Sequence, residues 1–130
     1  METSWLGAAG SAGRRCCSLC EMAEEILLAF STFPDIETAR RIARQLVTEN
    51  FAACANIIPA IESIYRWEGR IESGLETLVL FKTAAARYPA FQERLKSLHP
   101  YDVPEIIACP VDKALPEYSR WVIDSSAPET

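Results

Sequence analysis

The chain is short of basic charge, of histidine and of long apolar runs. Its 13 lysines and arginines are outnumbered by 18 aspartates and glutamates, for a formal net charge of −5. No basic cluster is longer than Arg14-Arg15 or Arg40-Arg41. Gripping a nucleic-acid backbone takes a basic face or stripe, so no nucleic-acid partner is expected. No stretch approaches the ~18 apolar residues of a membrane span, so no membrane is expected either. There is no glycine-rich phosphate loop, no paired carboxylate at a recognisable spacing, and no Ser/His or Cys/His arrangement with context; the chain does not read as an enzyme. The five cysteines are odd in number, and Cys16, Cys17 and Cys20 crowd the N-terminus. A disulfide framework would show an even, dispersed set, so the setting reads as reducing and cytoplasmic. Cys17-Ser18-Leu19-Cys20 is formally C-x-x-C, but it has no second pair and no neighbouring histidine to complete a zinc site.

What is present is enough for a core. The 130 residues suit one domain, and 49% hydrophobic with 24% charged residues describes a globular chain. Residues 1–23 read as a disordered extension, with Met22 a candidate start, residues 24–124 as the domain, and residues 125–130 as a loose tail.

Within the domain the dominant stretch is Ala52 to Thr83, read as two long strands turning at Glu68-Gly69. Pro59 has no N–H to give a ladder and marks a bulge, a bend or an edge. Gly74 would permit a bulge. Ile61, Ser63, Tyr65 and Trp67 share one face of the first arm. Leu78-Val79-Leu80-Phe81 reads as a central strand covered on both sides. Before the hairpin, Glu25–Thr32 has the length of a buried strand, and Asp35 offers a helix N-cap. Ile36, Ala39, Ile42, Ala43, Leu46 and Val47 recur at helical spacing up to about Asn50. After it, Tyr88–Leu98 is a helix, 99–104 a loop broken by two prolines, 105–111 an edge strand, and 114–123 a last helix whose apolar side is Leu115, Tyr118, Trp121 and Val122.

The order is β-α-β-β-α-β plus a C-terminal helix, an α+β, ferredoxin-like split βαβ fold with a long β2–β3 hairpin. The hairpin carries more apolar surface than one such domain can bury, which predicts self-association.

Four segments then stand out together. They are Ala53-Cys54-Ala55-Asn56-Ile57-Ile58, Ser63-Ile64-Tyr65-Arg66-Trp67-Glu68-Gly69, Phe81-Lys82-Thr83, and the run from His99 through Pro100-Tyr101-Asp102-Val103-Pro104 to Glu105-Ile106. In this order and spacing they resemble the CutA family, the divalent-cation tolerance proteins. The resemblance implies a homotrimer whose hairpins pair around the assembly, an architecture like that of PII signalling trimers, and a role in copper tolerance or response to divalent metal. It also implies metal ligands at two places. The cysteine position falls on Ser31, a poor ligand for copper. The histidine position falls on His99.

His99 therefore has two readings, a metal ligand or a cap at the C-terminus of the second helix. Lys82 and Glu105 are candidates for a ligand cleft between subunits, with Lys82 suited to a small anion or to snorkelling into water. Tyr65 and Trp67 suit a ligand platform or, preferably, the trimer interface. Cys54 and Cys109 read as small buried hydrophobes. Glu68, Arg70, Glu72 and Glu76 read as a solvated face with cross-strand pairs. The expectation is a trimeric metal-response protein with copper or another divalent cation as its candidate cofactor. The alternatives are a PII-like trimer holding a small anion and a stable scaffold for a protein partner.

Overall fold

The computed structural model describes residues 25–129. The expected N-terminal extension and its Cys17-Ser18-Leu19-Cys20 segment lie outside the described residues. The elements are β1 Ile26–Phe33, α1 Ile36–Thr48, β2 Cys54–Trp67, β3 Arg70–Ala84, a single 3-10 turn at Ala85–Arg87, α2 Tyr88–Leu98, β4 Ile107–Pro110 and α3 Pro116–Ser125. The four strands form one antiparallel sheet in the order β2-β3-β1-β4. This is the α+β split-βαβ arrangement expected from the sequence.

Local chemistry sets the boundaries. Asp35 is extended and its side chain accepts from the Thr38 N–H at 2.8 Å, so α1 begins where a carboxylate satisfies one of its free donors. That helix ends where Asn50 takes φ 64°. Phe51 N–H then reaches Leu46 O at 2.9 Å and Asn50 N–H reaches Val47 O at 3.1 Å, the two bonds of a Schellman stop. At the hairpin tip Glu68 (φ 50°) and Gly69 (φ 78°) both take positive φ between the paired Trp67 and Arg70, as a two-residue type I′ turn requires. The one break in the β2–β3 register falls between Ile58 and Ile61, at Pro59. Thr77 Oγ1 donates to the freed Pro59 carbonyl at 2.9 Å. Gly74 carries no bulge; it stands in register opposite Ser63.

The core lies between one sheet face and helices α1 and α2. Ala29, Phe33, Val79 and Phe81 from the sheet meet Ile42, Leu46, Phe91 and Leu95 from the helices. Phe81 and Phe91 contact edge to face at 5.1 Å. The other sheet face is only half-covered. Leu78 and Leu80 are partly exposed, where the sequence predicted cover on both sides. Alternation along the strand sends them away from the helices, to a face that the described residues cover only in part. β4 is shorter than the expected 105–111, pairing with β1 from Ile107 to Pro110, and Val111 N–H still reaches Ile26 O at 3.1 Å just beyond it.

α3 begins two residues later than its pattern suggested and buries Val122 on Ile26 and Ala53. Leu115, Tyr118 and Trp121, expected on its packed side, are exposed instead. The hairpin overhangs the sheet. β1 pairs β3 only as far as Phe33 opposite Thr77, so Arg70–Glu76 is held by β2 alone.

Candidate functional site

A cleft of about 1300 Å³ opens where the hairpin leaves the sheet and the 99–105 loop crosses the end of β1. β2 supplies Ser63, Ile64, Tyr65 and Trp67; β3 supplies Arg70, Glu72 and Glu76; the loop supplies Tyr101, Asp102 and Glu105. Glu76 is the fixed point of this cleft. Its Oε1 accepts from Ser63 Oγ at 2.7 Å and its Oε2 accepts from Tyr101 Oη at 2.8 Å. Burial and the Glu76 carboxylate both push the Tyr101 phenol above its ordinary value, so it stays a donor. Among the described residues Arg70 is the one cation on the lining, and it lies 3.5 Å from Glu72.

His99 sits beneath this wall. It is 8% exposed and stacks on Phe33 at 4.6 Å. Tyr101 N–H donates to its Nδ1 at 3.2 Å, which makes Nδ1 the acceptor and puts the ring proton on Nε2. That Nε2–H points to the Thr32 carbonyl at 2.9 Å. The imidazole thus clamps the loop to the end of β1, and burial holds its pKa below the ordinary value. His99 is also the C-cap of α2, through its backbone N–H, which donates to Leu95 O at 2.9 Å; the ring takes no part in that cap.

These positions bear on a copper ion. Both His99 nitrogens are engaged in hydrogen bonds. Ser31 is fully buried, and its hydroxyl has no hydrogen-bond partner among the described residues. Among the described residues no group of three His, Cys, Asp or Glu side chains could hold a metal ion. The described side chains of one protomer, as they stand, do not fit copper.

The other sequence candidates divide. Tyr65, Trp67 and Glu105 line the cleft. Lys82 does not. It lies six residues along β3 from Glu76, roughly 20 Å at strand rise, and bonds Asn56 Oδ1 opposite Cys54. The sequence reading missed Glu76, Ser63 and Tyr101 as a unit. Tyr101 lay within the quoted 99–106 segment, but nothing local linked it to a glutamate 25 residues earlier.

Comparison with known proteins follows the same outline. Residues 27–125 match the family model described as "CutA1 divalent ion tolerance protein". The chain is 46% identical over 103 residues to the "Divalent-cation tolerance protein CutA" of Thermus thermophilus, covering 79% of this chain and 98% of that protein. It is 47% identical over 94 residues to "Protein CutA" of Mus musculus, covering 72% of this chain and 53% of the mouse protein. A crystal structure of CutA from Xylella fastidiosa superposes with a TM-score of 0.76 at 44% identity, covering 78% of this chain and 98% of that one. The family description and the Thermus thermophilus name print tolerance to divalent ions. This chain belongs to the CutA1 family of divalent ion tolerance proteins.

Proposed function

We propose that the chain acts in divalent-cation tolerance as a homotrimer, a binding or signalling module of the cytoplasm with no catalytic step. The observation that carries this reading is the overhanging hairpin. Ile64 (69%), Trp67 (56%), Ile71 (62%) and Leu75 (72%) are exposed on it, on both of its faces. Fully burying one such side chain contributes about 1.5–3 kcal/mol, a stabilisation that a lone protomer forgoes. Tyr65 and Trp67 share the open sheet face with the half-covered Leu78 and Leu80 and the exposed Ile107, an apolar surface interrupted by Arg70, Glu72 and Glu76, while Ile64, Ile71 and Leu75 lie on the opposite face. A cyclic assembly that pairs the free β2 edge would cover both the edge and that surface.

A reducing compartment suits the thiols. Cys54 and Cys109 are free and stand on opposite edge strands, aligned through Lys82 and Leu28. Three strand spacings, roughly 14 Å, separate them, too far to bridge. Among the described residues no helix is long and apolar enough to cross a membrane.

The cleft's four carboxylates against one arginine argue for a cationic occupant over a small anion there. Metal response in this reading runs through assembly and cleft, with His99 as the clamp that shapes both. Sedimentation equilibrium at about micromolar chain concentration tests the assembly: a trimer mass is expected, and a monomer would end the proposal.

A further inference from the structure

The last helix carries an apolar stripe that the protomer leaves exposed. α3 is fixed to the sheet by Val122, buried on Ile26 and Ala53, and by Ser126, whose Oγ accepts from Ala84 N–H at 3.2 Å. Leu115, Tyr118 and Trp121 are exposed beside that contact, and the two rings pack on each other at 5.6 Å, tilted by 33°. The hairpin carries a second patch of this kind. Ile64, Ile71 and Leu75 are exposed on the face that turns away from Tyr65 and Trp67. Contacts made through the open sheet face leave these three in water. One protomer cannot bring its own two patches together. The nine residues from Leu75 to Ala84 span roughly 30 Å of strand, and Ile71 lies farther out.

We infer that the α3 stripe of one protomer receives the hairpin of a second copy of this chain, on its Ile64, Ile71 and Leu75 face. This contact rests on the homotrimer proposed above and closes it. A cyclic trimer is built from heterologous contacts, in which two different patches of the chain meet at every interface. The two patches are of similar length. Ile71 to Leu75 covers roughly 13 Å of strand, and Leu115 to Trp121 roughly 9 Å of helix. Their charges complement each other. Arg66 is paired with Ile71 and Glu62 with Leu75 in the strand register, and neither forms an ion pair among the described residues. On α3, Glu117 and Arg120 are exposed next to Tyr118 and Trp121. With Ile71 laid toward Leu115 and Leu75 toward Trp121, Arg66 meets Glu117 and Glu62 meets Arg120. Rotation about a three-fold axis keeps every residue at its own height. Patches toward opposite ends of β3 therefore meet only if that strand runs across the axis, which makes the assembly a ring of sheets joined end to end.

Sedimentation equilibrium of the full chain, with far-UV circular dichroism on every sample, tests this contact. Tyr118→Lys with Trp121→Lys in one variant, and Ile71→Glu with Leu75→Glu in another, are each expected to lower the mass threefold, from trimer to monomer. The spectra should not change, because all four side chains lie outside the buried clusters. A chain carrying all four substitutions places lysine against glutamate at every contact and is expected to regain the trimer mass, most fully at low salt. If a lysine variant loses its spectrum, Tyr118→Ala with Trp121→Ala removes the rings without adding charge, and the same fall in mass is expected. A wild-type monomer would end the trimer reading and this contact with it. A wild-type trimer whose folded α3 variants remain trimeric would overturn the contact alone, and so would a folded chain with all four substitutions that stays monomeric.

Discussion

The Tyr101 hydroxyl and the Glu76 carboxylate, 2.8 Å apart, join the loop after α2 to the overhanging hairpin. The bond is partly buried, and its acceptor is a carboxylate whose other oxygen is held by Ser63. Hydrogen bonds to charged groups contribute about 1.5–3 kcal/mol when well shielded, and this one is half-shielded. Tyr101→Phe should therefore lower unfolding stability by about 1–2 kcal/mol in urea titrations at fixed chain concentration. A change within about 0.5 kcal/mol, the usual range for surface substitutions, would show that the bond contributes little.

His99 should make stability fall in mild acid. Burial holds the folded imidazole below 6.5, against the opposing pull of the Thr32 carbonyl and of Glu76. The unfolded chain takes up a proton near 6.5 while the folded chain refuses it, because Nδ1 is already accepting from Tyr101 N–H. The unfolded state then binds more protons, so stability rises with pH through that window. The contribution is complete above 6.5, is lost as pH falls toward the folded value, and is constant below it. Denaturation midpoints from about pH 8 to about pH 5 should show this slope in the wild type and a flatter one in His99→Gln. A wild-type midpoint that climbs as the pH drops through the same window would mean the ring is favoured in its charged form.

Much of the fold could be read from local chemistry, and the cleft could not. Asp35 announces a helix start because its carboxylate satisfies a backbone donor three residues on. Glu68-Gly69 announces a turn because positive φ is tolerated there. Pro59 marks the bulge because it lacks an N–H, while Gly74, equally permissive, had no need to bulge. In α3 the periodic pattern of Leu115, Tyr118 and Trp121 reports a stripe and not what covers it; all three are exposed, with Tyr118 and Trp121 packed on each other. Glu76 looked like part of a solvated face because its partners are 13 and 25 residues away. Strand register brings Ser63 to it and loop docking brings Tyr101, and neither is written in the neighbouring sequence. Of the two residues expected at an intersubunit cleft, Glu105 lines the cleft of the protomer and Lys82 does not.

Ser31 marks a place where the sequence is not optimal for stability. Its hydroxyl is fully buried without a hydrogen-bond partner among the described residues, on the sheet face that carries Ala29, Phe33 and Val79. An unsatisfied buried polar group costs about 1–3 kcal/mol in desolvation. Ser31→Ala removes that cost and leaves a void of a single oxygen. The expected result is a gain of up to about 1 kcal/mol, read as a higher denaturation midpoint. A loss of more than about 1 kcal/mol would show that the hydroxyl has a partner, such as a buried water.

The hairpin tip offers the sharpest separation of fold from assembly. Trp67 and Tyr65 are 56% and 47% exposed and contribute nothing to either buried cluster of the protomer. Their removal should leave the protomer's core intact. In the proposed trimer the same rings are covered, and buried aromatics are the residue type that dominates interface energies, at about 2 kcal/mol or more for a central position. The double substitution Tyr65→Ala with Trp67→Ala should thus shift the sedimentation mass toward monomer while the far-UV spectrum is unchanged. Because each contact recurs at every interface of a cyclic assembly, the effect is multiplied by the symmetry. A variant that remains trimeric would place the assembly contact elsewhere on the sheet face, at Leu78, Leu80 and Ile107. A variant that unfolds without passing through a folded monomer would mean that the protomer depends on its partners for its own stability, and the half-covered face of Leu78 and Leu80 would then be the reason.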